Sequence, residues 1–178
     1  PHLRTHARLS LAELAREDAG IIGVLEAFFL SGDNSARARE EVPRILELVP
    51  SQESVDILLG HLATHRPEMR FGVLKALGKS RSRYTTLKFD PEVVSSEINT
   101  EAGRFFQLSR LGAMLPEQGE PARLLGRVMV ETRTLRLESV FRLLGLLYPL
   151  RDVLNSYHGV MSGRQVPKAN AQEFLDNL

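Results

Sequence analysis

Two histidine pairs are the first residues in this sequence whose spacing could do chemistry. His61 and His65, and likewise His2 and His6, are four apart. On a helix that spacing puts two imidazoles on one face, where they can bind a metal. A metal site also needs a third ligand and partners that orient the rings. No HExxH pattern and no carboxylate at ligand spacing accompanies either pair, so each reads as a polar helix edge. The chain has no GxSxG elbow, no GxGxxG and no GxxxxGK[ST] loop, so neither a nucleophile turn nor a phosphate cradle is in view. The acidic pair Glu40–Glu41 falls on the polar face of a helix and reads as solvated charge. Catalytic, metal-ligating and cofactor-binding residues are therefore assigned nowhere, and the expectation is a protein that is not an enzyme and carries no cofactor.

Charge distribution is the sharper local anomaly. From Arg66 to Lys88 there are seven basic residues and a single acid, Glu68, whereas Asp33 to Asp56 carries six acids and three bases. The candidate interaction surface is accordingly Arg70, Lys75, Lys79, Arg81, Arg83 and Lys88. It could meet phosphate, an anionic membrane surface or an acidic partner. The plainer alternative is that Lys79, Arg81, Arg83 and Lys88 decorate a helix C-terminus and the loop after it. Tyr84 and Phe89 are too few aromatics to argue base stacking.

The elements that must position these residues are helices. The chain of 178 residues is 43% hydrophobic and 25% charged, with a net charge of +1 and no cysteine. That is long enough for a real core and globular in composition, with no global pull toward nucleic acid or anionic lipid. A disulfide framework and cysteine-ligated zinc are excluded, which mildly favours a cytoplasmic location. No run reaches the ~18–20 apolar residues needed to span a bilayer, and Pro1 to Arg16 lacks the apolar centre of a secretory signal. Because the chain starts with proline, it is expected to be a processed chain or a piece of a longer protein.

Leu, Ala, Glu and Arg dominate and alternating β-branched runs are lacking, so Gly, Pro, Asn, Asp and Ser divide the chain into seven or eight helical segments. The first spans about Leu9 to Ala19, with Leu11, Leu14 and Ala15 on its inner face. Ile21 to Leu30 is almost wholly apolar and is expected to be buried. After "SGDNS", where Asp33, Asn34 or Ser35 can cap, a helix runs to Val49, and Pro43 should kink or break it. Ser51 caps the next, whose stripe is Val55, Leu58, Leu59 and Leu62. Pro67 opens "RPEMRFGVLKALGKSR", with Met69, Val73, Ala76 and Leu77 buried and Arg70 and Lys75 pointing elsewhere. Asp90 and Pro91 open a long helix to about Leu115, striped by Val94, Ile98, Phe105, Leu108, Gly112 and Leu115. "PEQGEP" turns the chain into a second, from about Ala122 to Tyr148, with Leu137, Val140, Phe141, Leu144 and Leu147 on one side. So short a turn makes the two antiparallel. Leu150 to Met161 and Val166 to Leu178 complete the set.

One inner pattern recurs. Met69, Arg70, Val73, Ala76 and Leu77 match Ala38, Arg39, Val42, Ile45 and Leu46, and again Pro167, Lys168, Ala171, Phe174 and Leu175. Each copy follows a shorter apolar helix: Ile21–Leu30, Val55–Leu62 and Val153–Val160. Helical pairs repeated in this way must stack on neighbours to bury both faces. The fold class expected is all-α, a HEAT-like α-α superhelix (solenoid) of stacked helical hairpins with a long antiparallel helix pair inserted between repeats. An irregular helical bundle is the alternative. The chain reads as a single helical-repeat domain, 1–178, made of HEAT-like repeats (1–89), a long hairpin (90–148) and a terminal HEAT-like hairpin (149–178).

"PEMRFGVLKALGKSR" resembles the second helix of a HEAT repeat. More widely, "EEVPRILELVPSQESVDILLGHLATHRPEMRFGVLKALGKSR", "LKFDPEVV" and the terminal "ESVFRLLGLLYPLRDVLNSYHGVMSGRQVPKANAQEFLDNL" resemble the C-terminal HEAT-repeat soluble region of bacterial nucleotide (ATP/ADP) translocase-like transporters. The "FRLLGLLYP" and "AN-A-x-E-x-LDNL" blocks carry the resemblance most specifically. It implies a cytoplasmic end of a longer protein, tethered to a membrane through an upstream carrier-like half, and it carries over no transport residue. Two departures stand out: the long hairpin after Asp90 is not a standard repeat, and Arg66 sits where a capping Asp or Asn is usual.

Three functions remain open. The leading one is a non-catalytic protein-interaction or regulatory scaffold, bound to a protein partner or to the rest of its own chain. The second is a nucleic-acid- or anionic-surface-binding helical repeat using residues 66–88, with nucleic acid the weaker partner at this net charge. The third, an enzyme on helical repeats, needs a pocket of converging titratable groups.

Overall fold

Serine and proline punctuation sets where the helices begin. Ser35 Oγ accepts from the Ala38 amide at 3.3 Å and Ser51 Oγ from the Ser54 amide at 3.1 Å, each satisfying a first-turn N–H that has no partner within its own helix. In the computed structural model, which describes residues 2–63, 67–114 and 119–162, nine helices and no strand are seen among the described residues. They are α1 (His2–Glu17), α2 (Gly20–Leu30), α3 (Ala36–Arg39), α4 (Val42–Leu46), α5 (Gln52–Gly60), α6 (Pro67–Arg83), α7 (Pro91–Ala113), α8 (Glu120–Leu147) and α9 (Leu150–Ser162). The all-helical expectation is met. Pro43 acts as a break and not a kink: its ring would strike the Arg39 carbonyl one turn back, α3 stops at Arg39, and Pro43 sits in the first turn of α4.

The chain divides into two compact units, Pro1–Asp90 and Pro91–Leu178. In the first, α4 packs against α1, α2, α5 and α6, and α5 against α6. The apolar spacing explains this centre. Val42, Ile45 and Leu46 of α4, Val55, Leu58 and Leu59 of α5, and Val73, Ala76 and Leu77 of α6 are all buried. Leu62, just past α5, is fully buried as well. Each large aliphatic side chain buried in this way contributes roughly 1.5–3 kcal/mol.

The recurrent pattern also matches in burial. Arg39, Val42, Ile45 and Leu46 are 6%, 1%, 4% and 1% exposed, and their counterparts Arg70, Val73, Ala76 and Leu77 are 3%, 0%, 0% and 0%. Even the basic position is internal in both copies. The third copy, 167–175, lies outside the described residues.

Two expectations about the first helices need correction. α1 starts at His2 and turns Ala12 and Ala15 inward, leaving Leu14 49% exposed. α2 is not buried all round. Ile22, Leu25 and Phe29 face the core, while Val24 is 64% and Phe28 37% exposed.

In the second unit α7 and α8 form the expected antiparallel hairpin. Glu101 meets Arg136 at 3.2 Å, and a side chain built at Gly112 would reach the Met129 methyl at 3.9 Å. Before α8, Gly119 holds a φ of 105°, a conformation open to glycine and costly for other residues. Where α8 meets α9, Phe141, Leu144 and Val153 form a small core, and Tyr157 packs edge-on to Phe141 at 5.2 Å. The far half of the hairpin, beyond Glu101 and before Arg136, has no buried residue among those described.

Candidate functional site

The basic residues of α6 and the segment after it are used largely within the fold. The last carbonyls of α4 take backbone amides of the turn that follows, such as Leu48 N to Ile45 O and Val49 N to Leu46 O. The carbonyls just past the helix, Glu47 and Leu48, receive side-chain donors from other elements. Tyr84 Oη donates to the Leu48 carbonyl at 2.9 Å and Arg16 Nη2 to the same oxygen at 2.6 Å. Arg83 Nη1 reaches the Glu47 carbonyl at 3.4 Å, and Lys79 Nζ the Glu47 carboxylate at 2.8 Å. Glu47 is 6% exposed, and a carboxylate so far from water needs a charged partner. Lys79 and Arg83 do decorate a helix C-terminus, that of α4 instead of their own α6.

The remaining members scatter. Arg70 is buried, a correction to its place on the candidate surface: its position in α6 faces inward, as does Arg39 in the matching copy. Lys75 is exposed and lies over the Phe71 ring, 4.5 Å from its centre. Arg81 is half-buried and stands 5.9 Å from the centre of the Phe89 ring, a contact of the cation–π kind. Lys88 is exposed at its side chain, while its backbone is clamped by Gln52. Gln52 Oε1 accepts from the Lys88 amide at 2.9 Å, and its Nε2 donates to the Lys88 carbonyl at 2.8 Å. Lys75, Lys79 and Arg83, at four-residue steps, share one exposed face of α6, whereas Arg70 is turned away from it into the core. The acidic and basic stretches are joined by one ion pair, Glu47 with Lys79.

The histidines take similarly modest places. His61 Nε2 lies 3.0 Å from Glu26 Oε1 and its ring packs on Phe29, linking the end of α5 to α2. His65 lies outside the described residues. His2 and His6 are both exposed on α1. Among the described residues no group of three or more His, Asp or Glu is placed to hold a metal ion.

A buried acid was missed in the sequence. Glu101 of α7 is 0% exposed; its Oε1 accepts from Arg104 Nη1 at 2.7 Å and its Oε2 from Arg136 Nη1 at 3.2 Å. The signal was present, since Glu101 fills the seven-residue gap between the stripe residues Ile98 and Phe105.

The features that stand out for function are apolar and exposed. Val24 and Phe28 share a face of α2 at a four-residue step, with Leu14 exposed on α1. On the hairpin, Leu111 of α7 and Leu124, Leu125, Val128 and Leu135 of α8 are each about half exposed, from 48% to 57%. Scattered exposed leucines are ordinary, but faces of this kind mark contact surfaces. None of the described helices is long and apolar enough to cross a membrane. No protein-family profile, no curated protein and no solved structure matches the chain significantly.

Proposed function

We propose that this chain is a non-catalytic scaffold, a HEAT-like stack of helical hairpins that binds a protein partner or the rest of its own chain. The observation that carries the reading is the two-faced α2. Ile22, Leu25 and Phe29 close the core on one side, and Val24 and Phe28 stand open on the other. A helix that is apolar on two faces is suited to a place between two layers, which is the position an internal repeat occupies in a solenoid. The matched burial of the α3–α4 and α6 copies supports the same reading. On the translocase-like resemblance, the partner proposed is the preceding part of the same polypeptide, with this chain as its cytoplasmic end.

The experiment is association in solution between this chain and the separately expressed remainder of its gene product. Val24→Asp and Phe28→Asp should weaken the complex at least tenfold, because each buries an unpaired charge. Equal affinity of wild type and both variants would overturn the reading. A complete reading frame without an upstream membrane-spanning region removes the transporter part and leaves the scaffold part standing. The nucleic-acid reading gains no support from a basic set of which Arg70 is buried and Lys79 is paired.

A further inference from the structure

We infer that the far half of the α7–α8 hairpin is a self-association surface, and that its occupant is the same face of a second copy of this chain, packed antiparallel. One line of residues on α8 carries the inference. Leu124, Val128, Leu135, Ser139 and Leu146 follow each other at steps of four and seven, so they share one side of the helix. Toward the α9 end this line is buried, with Ser139 at 7% and Leu146 at 2% exposed. Toward the hairpin tip it is open, with Leu124 at 56%, Val128 at 57% and Leu135 at 51%. The sequence continues its apolar line past the point where the described residues cover it. Leu111 lies beside it on α7, because Gly112 faces Met129.

Area and charge both favour a second copy. Leu111, Leu124, Val128 and Leu135, each about half exposed, present on the order of 400 Å² of apolar surface, the scale at which a patch is often functional. Interfaces are roughly three-fifths apolar, so this implies about 650 Å² per partner, at the lower end of the standard interface. Leu124 and Leu135 are equidistant from a point between Met129 and Val130. A two-fold axis at that point sets Leu124 of one copy level with Leu135 of the other and leaves the two Val128 residues about 4.5 Å apart along the helices, one on each side of the centre. About the same axis Arg127 comes level, within one residue or about 1.5 Å, with Glu131 of the other copy. Both lie on one flank of the line, and neither makes an ion pair with any described residue. The pairing is reciprocal, as a two-fold interface requires. A lipid surface fits less well, because Glu131 borders the line midway and would have to be desolvated with it.

The test uses the intact 178-residue chain, with molar mass followed by light scattering up to about 100 µM. A dimer is expected. Val128→Lys should return the chain to a monomer while its far-UV helical signal stays that of the wild type. Arg127→Glu and Glu131→Arg should each weaken the dimer several-fold, and the double exchange should restore it. A wild-type monomer at the highest concentration overturns the proposal, as does a dimer indifferent to Val128→Lys. Binding of a monomeric wild type to vesicles of equal phosphatidylcholine and phosphatidylglycerol, lost in Val128→Lys, also overturns it and assigns the face to lipid.

Discussion

Lys79 of α6 reaches back to Glu47 at the end of α4, with its ammonium 2.8 Å from a carboxylate that is almost wholly buried. This contact joins the basic half of the first unit to its acidic half. Lys79, one member of the candidate basic surface, thereby also ties α6 to the end of α4 as a cap.

The cap predicts small, local losses of stability. Lys79 is itself 56% exposed at its side chain, so Lys79→Ala should cost only about 0.5–1 kcal/mol after allowing for solvent screening. Tyr84→Phe removes the hydroxyl donor to the Leu48 carbonyl and should cost about 1 kcal/mol. Urea unfolding of the two variants and their combination checks this, and strict additivity would argue against a shared cap.

Glu101 predicts an asymmetry between partners. Glu101→Ala leaves two arginines facing a buried gap and should destabilise by roughly 2–3 kcal/mol, short of the full value for a sealed pair because both arginines retain some water. Arg104, 42% exposed, should cost under about 1 kcal/mol when changed to Ala, since Arg136 remains to pair the carboxylate. Thermal melts of both variants decide it; equal losses would show that burial of Glu101 is not what sets the cost.

Not all apolar residues should matter equally in the isolated chain. Leu77→Ala opens a cavity at a fully buried site and should cost about 2–5 kcal/mol. Val24→Ala removes a side chain that is mostly in water and should stay within about 0.5 kcal/mol of wild type. Denaturant midpoints compare them directly. A large loss at Val24 would mean that its face is already engaged.

With a net charge of +1 and Lys79 already paired to Glu47, the chain should show no saturable binding to labelled single- or double-stranded oligonucleotides at about 50 mM salt. Fluorescence anisotropy measures this. Binding that falls steeply with salt and is lost in Arg81→Glu and Lys88→Glu would restore the nucleic-acid reading.

Much of the helical plan was legible because caps and periodicity act locally. Ser35, Ser51, Pro67 and Pro91 mark starts, and the Val55–Leu62 and Val73–Leu77 stripes mark inner faces, without any knowledge of the partners they meet. What the sequence left undecided depended on neighbours far along the chain. Pro43 allowed a kink or a break, and the packing of α4 at the centre of the first unit goes with the break. α2 is apolar apart from Glu26 and its glycines, so its composition predicts burial nearly all round, yet among the described residues Val24 and Phe28 stay open. Charge counting failed for a similar reason. Arg70 and Lys79 are identical in type to surface residues, and only the inward face of α6 and the position of Glu47 distinguish them. Glu101 was overlooked because a stripe read as apolar hides a charged member whose arginine partner stands 35 residues away.

The central claim, that the open face of α2 is a docking face, is tested most directly by chemical access to Val24. The chain has no cysteine, so Val24→Cys places a single thiol on that face. Its labelling rate with a maleimide can be measured in this chain alone and in the presence of the proposed partner, the preceding part of the same polypeptide supplied as a separate chain. Rapid labelling is expected for the chain alone and at least tenfold slower labelling with the partner bound. Equally fast labelling in both would contradict it.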